Sequence, residues 1–299
     1  MRVDCEGAPR DLGFDQGRAM FEGVDAELAR ILRERPAGGG IDELGRDVAR
    51  HFPQLAERMT GLARGSRVDP MALVVALARA SREPAFLLRP ALAFAARTPR
   101  TRLAARFDLS ADLCSVPIVR RSAPQGGFES IELTLPWLAT CLGGVNAEGL
   151  AALLAPPPLA ISGGEVVRAE ATCHAPAMLF VQQCLERFGR ADSAAEWCLT
   201  RPSDGSATIL LADATGAVVS VELDEDRRRV IEPPLATIDD EAASLPALLA
   251  AGDAAAVQER TLAHRGVVWI DVADRTLAVA LDREGIAPAC IERFALSRG

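Results

Sequence analysis

Seven cysteines and three histidines are the side chains of this chain best suited to nucleophilic or metal chemistry. The thiols are Cys5, Cys114, Cys141, Cys173, Cys184, Cys198 and Cys290, and the imidazoles are His51, His174 and His264. A thiolate attacks a carbonyl carbon when a base has taken its proton, so a Cys within reach of a His is the arrangement to seek. Only Cys173 and His174 are adjacent. Neighbouring side chains on a helix diverge by about 100°, which prevents that pair from acting as nucleophile and base. The histidines share no short-range spacing with a thiol or carboxylate, and no Cys-x-x-Cys pair occurs, so no metal site is expected. Phosphate-loop, zinc-helix, dinucleotide and Gly-x-Ser-x-Gly motifs are absent too, and no cofactor is expected.

The 299 residues carry a net charge of -8, and all 33 basic residues are Arg. That acidic balance offers no footprint for nucleic acid. With 49% hydrophobic residues the chain can bury a large core. The longest apolar runs, such as 150–154 and 267–272, are too short to span a bilayer. No leader-like apolar run follows Met1, and the odd number of thiols argues against a disulfide framework. A reduced, cytoplasmic protein with most thiols buried as small hydrophobes is the expectation.

The elements that must position any site fall into blocks. The first ninety residues read as helical. Apolar residues at helical spacing run from Leu12 to Arg33, and a second helix is expected from Ile41 to Leu62. A turn at Gly65-Ser66 precedes a third helix, with Asp69 as N-cap and Pro70 at its first position. From Pro90 short strands take over at 92–97, 103–107, 129–135 and 150–154. Helix returns over 169–199, followed by strands at 207–212, 217–223 and 229–231, the first two joined by an Asp213-Ala-Thr-Gly216 turn. A helical pair over 239–263 leads to a last hairpin, 266–272 and 276–281. The charge run Asp224–Arg229 reads as a solvated hairpin tip, and 294–299 as a frayed end. This is an α+β chain.

Several segments, taken in order, resemble the isopenicillin N acyltransferase family of N-terminal-nucleophile hydrolases. Cys5-Glu-Gly-Ala-Pro-Arg-Asp-Leu-Gly-Phe-Asp-Gln-Gly17 is similar to its opening, where a small-residue turn precedes a Gly-aromatic-x-x-Gly helix start. Phe52 to Gly65 resembles its second helix, and Val68-Asp-Pro-Met-Ala-Leu-Val74 the start of its third. Leu103 to Asp108 resembles the strand that presents an acidic residue near the nucleophile. Gly143 to Leu150 looks like its Gly-x-Asn-x-x-Gly strand turn, and 206–223 and 271–281 its later hairpins. The resemblance implies a four-layer αββα sandwich of two antiparallel sheets. Residues 1–89 would correspond to a helical pro-region packed as one unit with a 90–299 core. Family members cut themselves before a Cys, whose freed amine then serves as base while the thiol attacks an amide or thioester.

This chain departs from that pattern at two chemical positions. Counting back from Asp108 over the hairpin, the nucleophile's place falls at Pro90-Ala91-Leu92-Ala93, where the family has Gly-Cys-Thr-Ser. The methyl of Ala91 has no lone pair. The family's oxyanion Asn would fall in Leu235-Ala-Thr-Ile-Asp-Asp240, and Asn146 is the chain's only Asn. An ionised Asp accepts hydrogen bonds and repels an oxyanion. Arg106, Asp108 and Asn146 remain, either lining a leftover pocket or serving as an ion pair and a turn cap. Cys114, which would need Glu132 as partner, and Cys141 are the fallback nucleophiles. The reading is a catalytically degenerate, uncleaved protein that binds a small acyl or amide ligand, an active paralogue or a second copy of itself. The alternative is an active amide hydrolase or acyltransferase with a relocated Cys.

Overall fold

The computed structural model describes residues 1–33, 40–82, 89–96, 100–109, 117–155, 167–168, 174–224, 227–232, 264–283 and 291–296. Its N-terminal part comprises β1 (Arg2–Gly7), α1 (Pro9–Ala19), α2 (Phe21–Arg33), α3 (Ile41–His51), α4 (Pro53–Ser66) and α5 (Pro70–Arg82). Then come β2 (Arg89–Ala96), β3 (Arg102–Leu109), β4 (Ile118–Pro124), β5 (Ser130–Thr134), β6 (Gly143–Asn146), β7 (Leu150–Ala155) and β8 (Val167–Arg168). A short 3-10 turn leads into α6 (Phe180–Arg187) and α7 (Ala191–Thr200). The chain continues through β9 (Ala207–Asp213), β10 (Val218–Asp224), β11 (Arg227–Ile231), β12 (His264–Asp271), β13 (Thr276–Arg283) and β14 (Ile291–Ala295).

The strands form two sheets. One has nine strands in the order β1-β4-β5-β6-β7-β9-β10-β11-β8, the other five in the order β14-β13-β12-β3-β2. Among the described residues every strand pair is antiparallel except β1 with β4. Strands β2 and β3 pack on β7 and β9, so the sheets stack face to face, and α6 and α7 cover the other face of the nine-stranded sheet. This is the expected α+β architecture of two stacked sheets. The expected helical pair over 239–263 lies outside the described residues.

Backbone chemistry explains where the helical segments differ from expectation. The second helix breaks at Phe52, because Pro53 disfavours a helical conformation before it. The first breaks at Met20, from which α2 departs to pack on α5. Gly65 and Ser66 are helical, and α4 instead ends at Arg67, in the left-handed region at φ 58°. Asp69 does cap α5, its Oδ1 accepting from the Met71 N–H at 3.0 Å. The helix expected over 169–199 is two, broken at Phe188-Gly189-Arg190.

Strands β1 and β4 were not expected. In β1 the exposed and buried residues alternate, with Val3 and Cys5 inward, which is the strand period. The supposed frayed end contributes Phe294 and Ala295 to β14, and Leu296 is buried. Within the charge run, Arg228 is buried. Its guanidinium donates to the carbonyls of Cys198 and Arg201 at the end of α7 and to Ser203 Oγ, which is helix C-capping by a cation.

Helices α1 and α4 meet backbone to backbone. A Cβ added to Gly13 would fall 1.9 Å from the Arg58 carbonyl oxygen, and one on Gly61 would fall 1.9 Å from that of Arg10. Gly17 and Gly65 repeat the contact one turn on. Four glycines spaced as two Gly-x-x-x-Gly pairs let the two backbones approach closely, offsetting the helix propensity they lose. The Gly-aromatic-x-x-Gly start is therefore a packing device that brings Gln16 and Arg58 against the sheet.

Candidate functional site

Strand β2 is an edge strand of the five-stranded sheet. Its pairing with β3 slips between Pro90 and Leu92, leaving Ala91 as the extra residue of a β-bulge. Bulges re-aim a strand locally. Across from this point, β3 sets Arg106 opposite Leu92 and Asp108 opposite Arg89. Ala91, Arg106 and Asp108 thus come together at one end of one strand pair. Cys114 lies outside the described residues.

Asn146 does not join them. It sits in the other sheet, fully buried, with every polar atom of its amide engaged. Its Nδ2 donates to the carbonyls of Leu185 at 2.8 Å and Phe188 at 2.7 Å, while Oδ1 accepts from the Leu150 N–H at 2.9 Å. This binds the β6–β7 turn to the corner between α6 and α7. The turn also lies at the opposite end of the sandwich. Gly149 neighbours Ala214 in the β9–β10 turn, and Gly216 of that turn faces Thr101 at the far end of β2 and β3.

The face of the nine-stranded sheet turned away from the helices carries polar residues of its own. Strand register puts Thr208, Ser220, Glu222 and Arg229 on the face of the nine-stranded sheet opposite to α6 and α7. Thr208 and Arg229 directly flank Glu222 at the end away from Thr101, and Arg229 Nε is ion-paired with the Glu222 carboxylate. Thr208 Oγ1 and Ser220 Oγ are buried and find no hydrogen-bond partner among the described residues. No local spacing marks these four residues; only the register of three strands assembles them.

The helix-covered face of the sheet carries a second polar group. Arg120 of β4 and Glu132 of β5 are cross-strand partners, both fully buried, with an N–O separation of 2.6 Å. Arg120 also donates to Gln16 Oε1 at 2.6 Å, to Gln182 Oε1 at 2.7 Å and to the Leu138 and Ala139 carbonyls. Glu132 accepts further bonds from Ser122, Ser130 and Gln182. Arg58 donates to Ser122 Oγ at 2.7 Å and to Glu186 at 3.3 Å.

Two arginines and two glutamates from four elements therefore form one buried network. Burial alone would raise the Glu132 carboxyl, but Arg120, Arg58 and the hydrogen bonds hold it down to about 2. Arg120 is correspondingly raised, as attraction to Glu132 overcomes desolvation. For Arg58 and Glu186 desolvation wins: Arg58 is lowered, with repulsion from Arg120 adding to it, and Glu186 is raised. Cys5 and Cys141 border the network. Burial pushes the Cys5 thiol up to about 11, and burial plus Glu132 raises Cys141 well above the usual thiol range. A fully buried thiol that keeps its proton is a poor nucleophile. The fallback position at Cys141 thus lacks both access and thiolate, and the carboxylate considered as a partner for Cys114 is held by Arg120.

Two further features bear on binding. A small cavity between α4, α5 and Trp137–Thr140, lined by Leu55, Met59, Leu73 and Leu77, has room for about one water molecule. An acyl chain does not fit there. His174, which local spacing left without a partner, meets Asp47 of α3, whose Oδ2 accepts from the His174 backbone N–H at 2.7 Å and lies 3.1 Å from Nδ1. No group of three or more metal-ligating side chains occurs among the described residues, and no described helix is long and apolar enough to cross a membrane.

No protein-family model matches the chain, and no curated protein matches it in sequence. Solved structures do. Penicillin V acylase from Agrobacterium tumefaciens aligns at 10% identity and a TM-score of 0.42, over 68% of this chain and 85% of that one. A Cys-to-Ala variant of conjugated bile acid hydrolase from Clostridium perfringens aligns at 9% identity and a TM-score of 0.40, over 69% of this chain and 97% of that one.

Proposed function

We propose that this chain is an uncleaved, non-catalytic relative of the isopenicillin N acyltransferases that binds a small acyl or amide ligand at the Ala91 end of its sandwich. The observation that carries the reading is Ala91 itself. A methyl-bearing residue occupies a β-bulge beside Arg106 and Asp108, where the resemblance puts the nucleophile. Without a thiol there is nothing to attack a carbonyl and no route to self-cleavage. The recognition chemistry comes from the facing sheet. Two buried hydroxyls with unmet hydrogen bonds, beside an ion pair, suit a ligand with both donor and acceptor atoms, as an amide has. Residues 1–89 stay attached and pack as one unit with 90–299, Gln16 and Arg58 reaching into the network of the sheet.

Intact mass before and after exposure to acyl thioesters tests this directly. The expected result is one unmodified species near 31.7 kDa. A split chain, or one acyl group mapped to a single Cys, would replace this reading with the relocated-nucleophile enzyme. Placing a thiol at the bulge by Ala91→Cys is the complementary test. Its alkylation under native conditions should outpace that of every native cysteine, and an inert new thiol refutes the placement of Ala91 at the site.

A further inference from the structure

Cys184 of α6 and Cys198 of α7 are the only thiols in contact among the described residues. Their sulfurs are 3.6 Å apart, and both residues are fully buried. The two helices are pinned on either side of the contact. Asn146 holds the α6 end through the Leu185 and Phe188 carbonyls, and Asp213 Oδ2 holds the start of α7 by accepting from the Ala191 N–H at 2.9 Å. Arg228 holds the far end of α7 through the Cys198 carbonyl itself. The sulfurs are thus presented to each other by a braced corner, and a disulfide of about 2.05 Å requires them to close by only about 1.5 Å.

We propose that Cys184 and Cys198 form a reversible intramolecular disulfide on exposure to a hydroperoxide, stapling α6 to α7. The electrons balance without further reagents. One thiolate attacks the peroxide oxygen, breaking the O–O bond and releasing an alcohol or water, to leave a sulfenic acid. The second sulfur then displaces hydroxide from the sulfenic sulfur, and its proton leaves with that hydroxide as water. Two thiols are oxidised and one hydroperoxide is reduced. Cys184 holds its proton well above the usual thiol range, chiefly through its contact with Cys198 and its burial. Access to oxidant therefore waits on opening of the corner, and the reaction is slow and faster at higher pH.

The test uses the full-length, fully reduced protein treated with hydrogen peroxide. Expected are a loss of two hydrogens in the intact mass and a non-reduced peptide joining Cys184 to Cys198. An unfolding midpoint raised by roughly 5 °C should return to its starting value with dithiothreitol. Cys198→Ala should abolish the cross-linked peptide and the rise in midpoint. The mapping on unaltered protein stands even if that variant fails to fold. The proposal is overturned if both thiols remain alkylatable after peroxide and unfolding. It is equally overturned if either sulfur goes on to sulfinic acid instead, or if the cross-link forms with another cysteine.

Discussion

Replacing Glu132 by Gln removes one negative charge from a fully buried network while keeping its shape. Arg120 and Arg58 then share only Glu186, and breaking a buried pair of this kind costs about 3–5 kcal/mol at neutral pH. The pH dependence gives a sharper number. Glu132 titrates at about 2 in the fold against an ordinary 4.5. At about 1.4 kcal/mol per pH unit, the ionised carboxylate contributes ~3 kcal/mol. Because the folded value is the lower one, this stability is present above pH 4.5 and is lost as pH falls towards 2. Glu186 has the opposite sign. Its folded value is raised, so its ionisation costs stability at neutral pH, and the cost is relieved as pH falls through that value. Asp47 and Asp213 are also lowered and add to the acid loss, but in wild type and variant alike. The difference between the two proteins therefore reports Glu132 together with the relief its loss brings to Glu186, whose carboxyl it helps to raise. Urea unfolding over a pH series measures it. The stability gap should shrink by ~3 kcal/mol between about pH 5 and pH 2. A gap independent of pH, or no loss at neutral pH, refutes the claim that Glu132 is ionised in the folded core.

Glycine substitutions should separate close packing from helix propensity. Gly13→Ala or Gly61→Ala drives a methyl to 1.9 Å from a backbone oxygen, so each should destabilise by at least ~2 kcal/mol in chemical denaturation. Gly45→Ala on α3 meets only Val74 at 3.6 Å and should stabilise by about 0.5–1 kcal/mol. Asn146→Ala strips donors from two carbonyls and the acceptor from one N–H, and should lower stability by about 3 kcal/mol in the same assay. Thr208→Val and Ser220→Ala remove hydroxyls that have no described partner. Both should leave the thermal midpoint unchanged or raised while weakening binding of amide ligands in calorimetry.

The sequence was most legible where the chain is most local. The hairpins β9–β10 and β12–β13 follow from short apolar runs bounded by turn residues, with their ends displaced by one or two residues. Pro53 announces the break at Phe52, yet the apolar stripe runs straight across it. Strand β4 escaped because Arg120 and Arg121 stand in the middle of it, which masks the apolar pattern. Its partner β1 is over a hundred residues away, so no short-range signal marks their pairing. The same distance hides the network: Arg58, Arg120, Glu132 and Glu186 lie on four separate elements and share no spacing. A charged residue at the centre of Ser130–Thr134, a run otherwise fit for a buried strand, was the one available hint. Ala91 stands out only through resemblance, since nothing in an alanine's own chemistry marks a site.

The two faces of the nine-stranded sheet do different physical jobs, and this decides where binding is to be sought. On the helix side Arg120 and Glu132 are held by ion pairs and hydrogen bonds, and the bordering thiols are protonated and fully buried. A ligand could enter there only by displacing ion pairs whose loss costs several kcal/mol each. On the other side the buried Thr208 and Ser220 hydroxyls stand without described partners. An unmet buried hydroxyl carries a penalty of about 1–3 kcal/mol, which a partner bringing its own donor and acceptor relieves. The first group holds the fold together at its own expense. The second leaves a penalty that a hydrogen-bonding partner relieves.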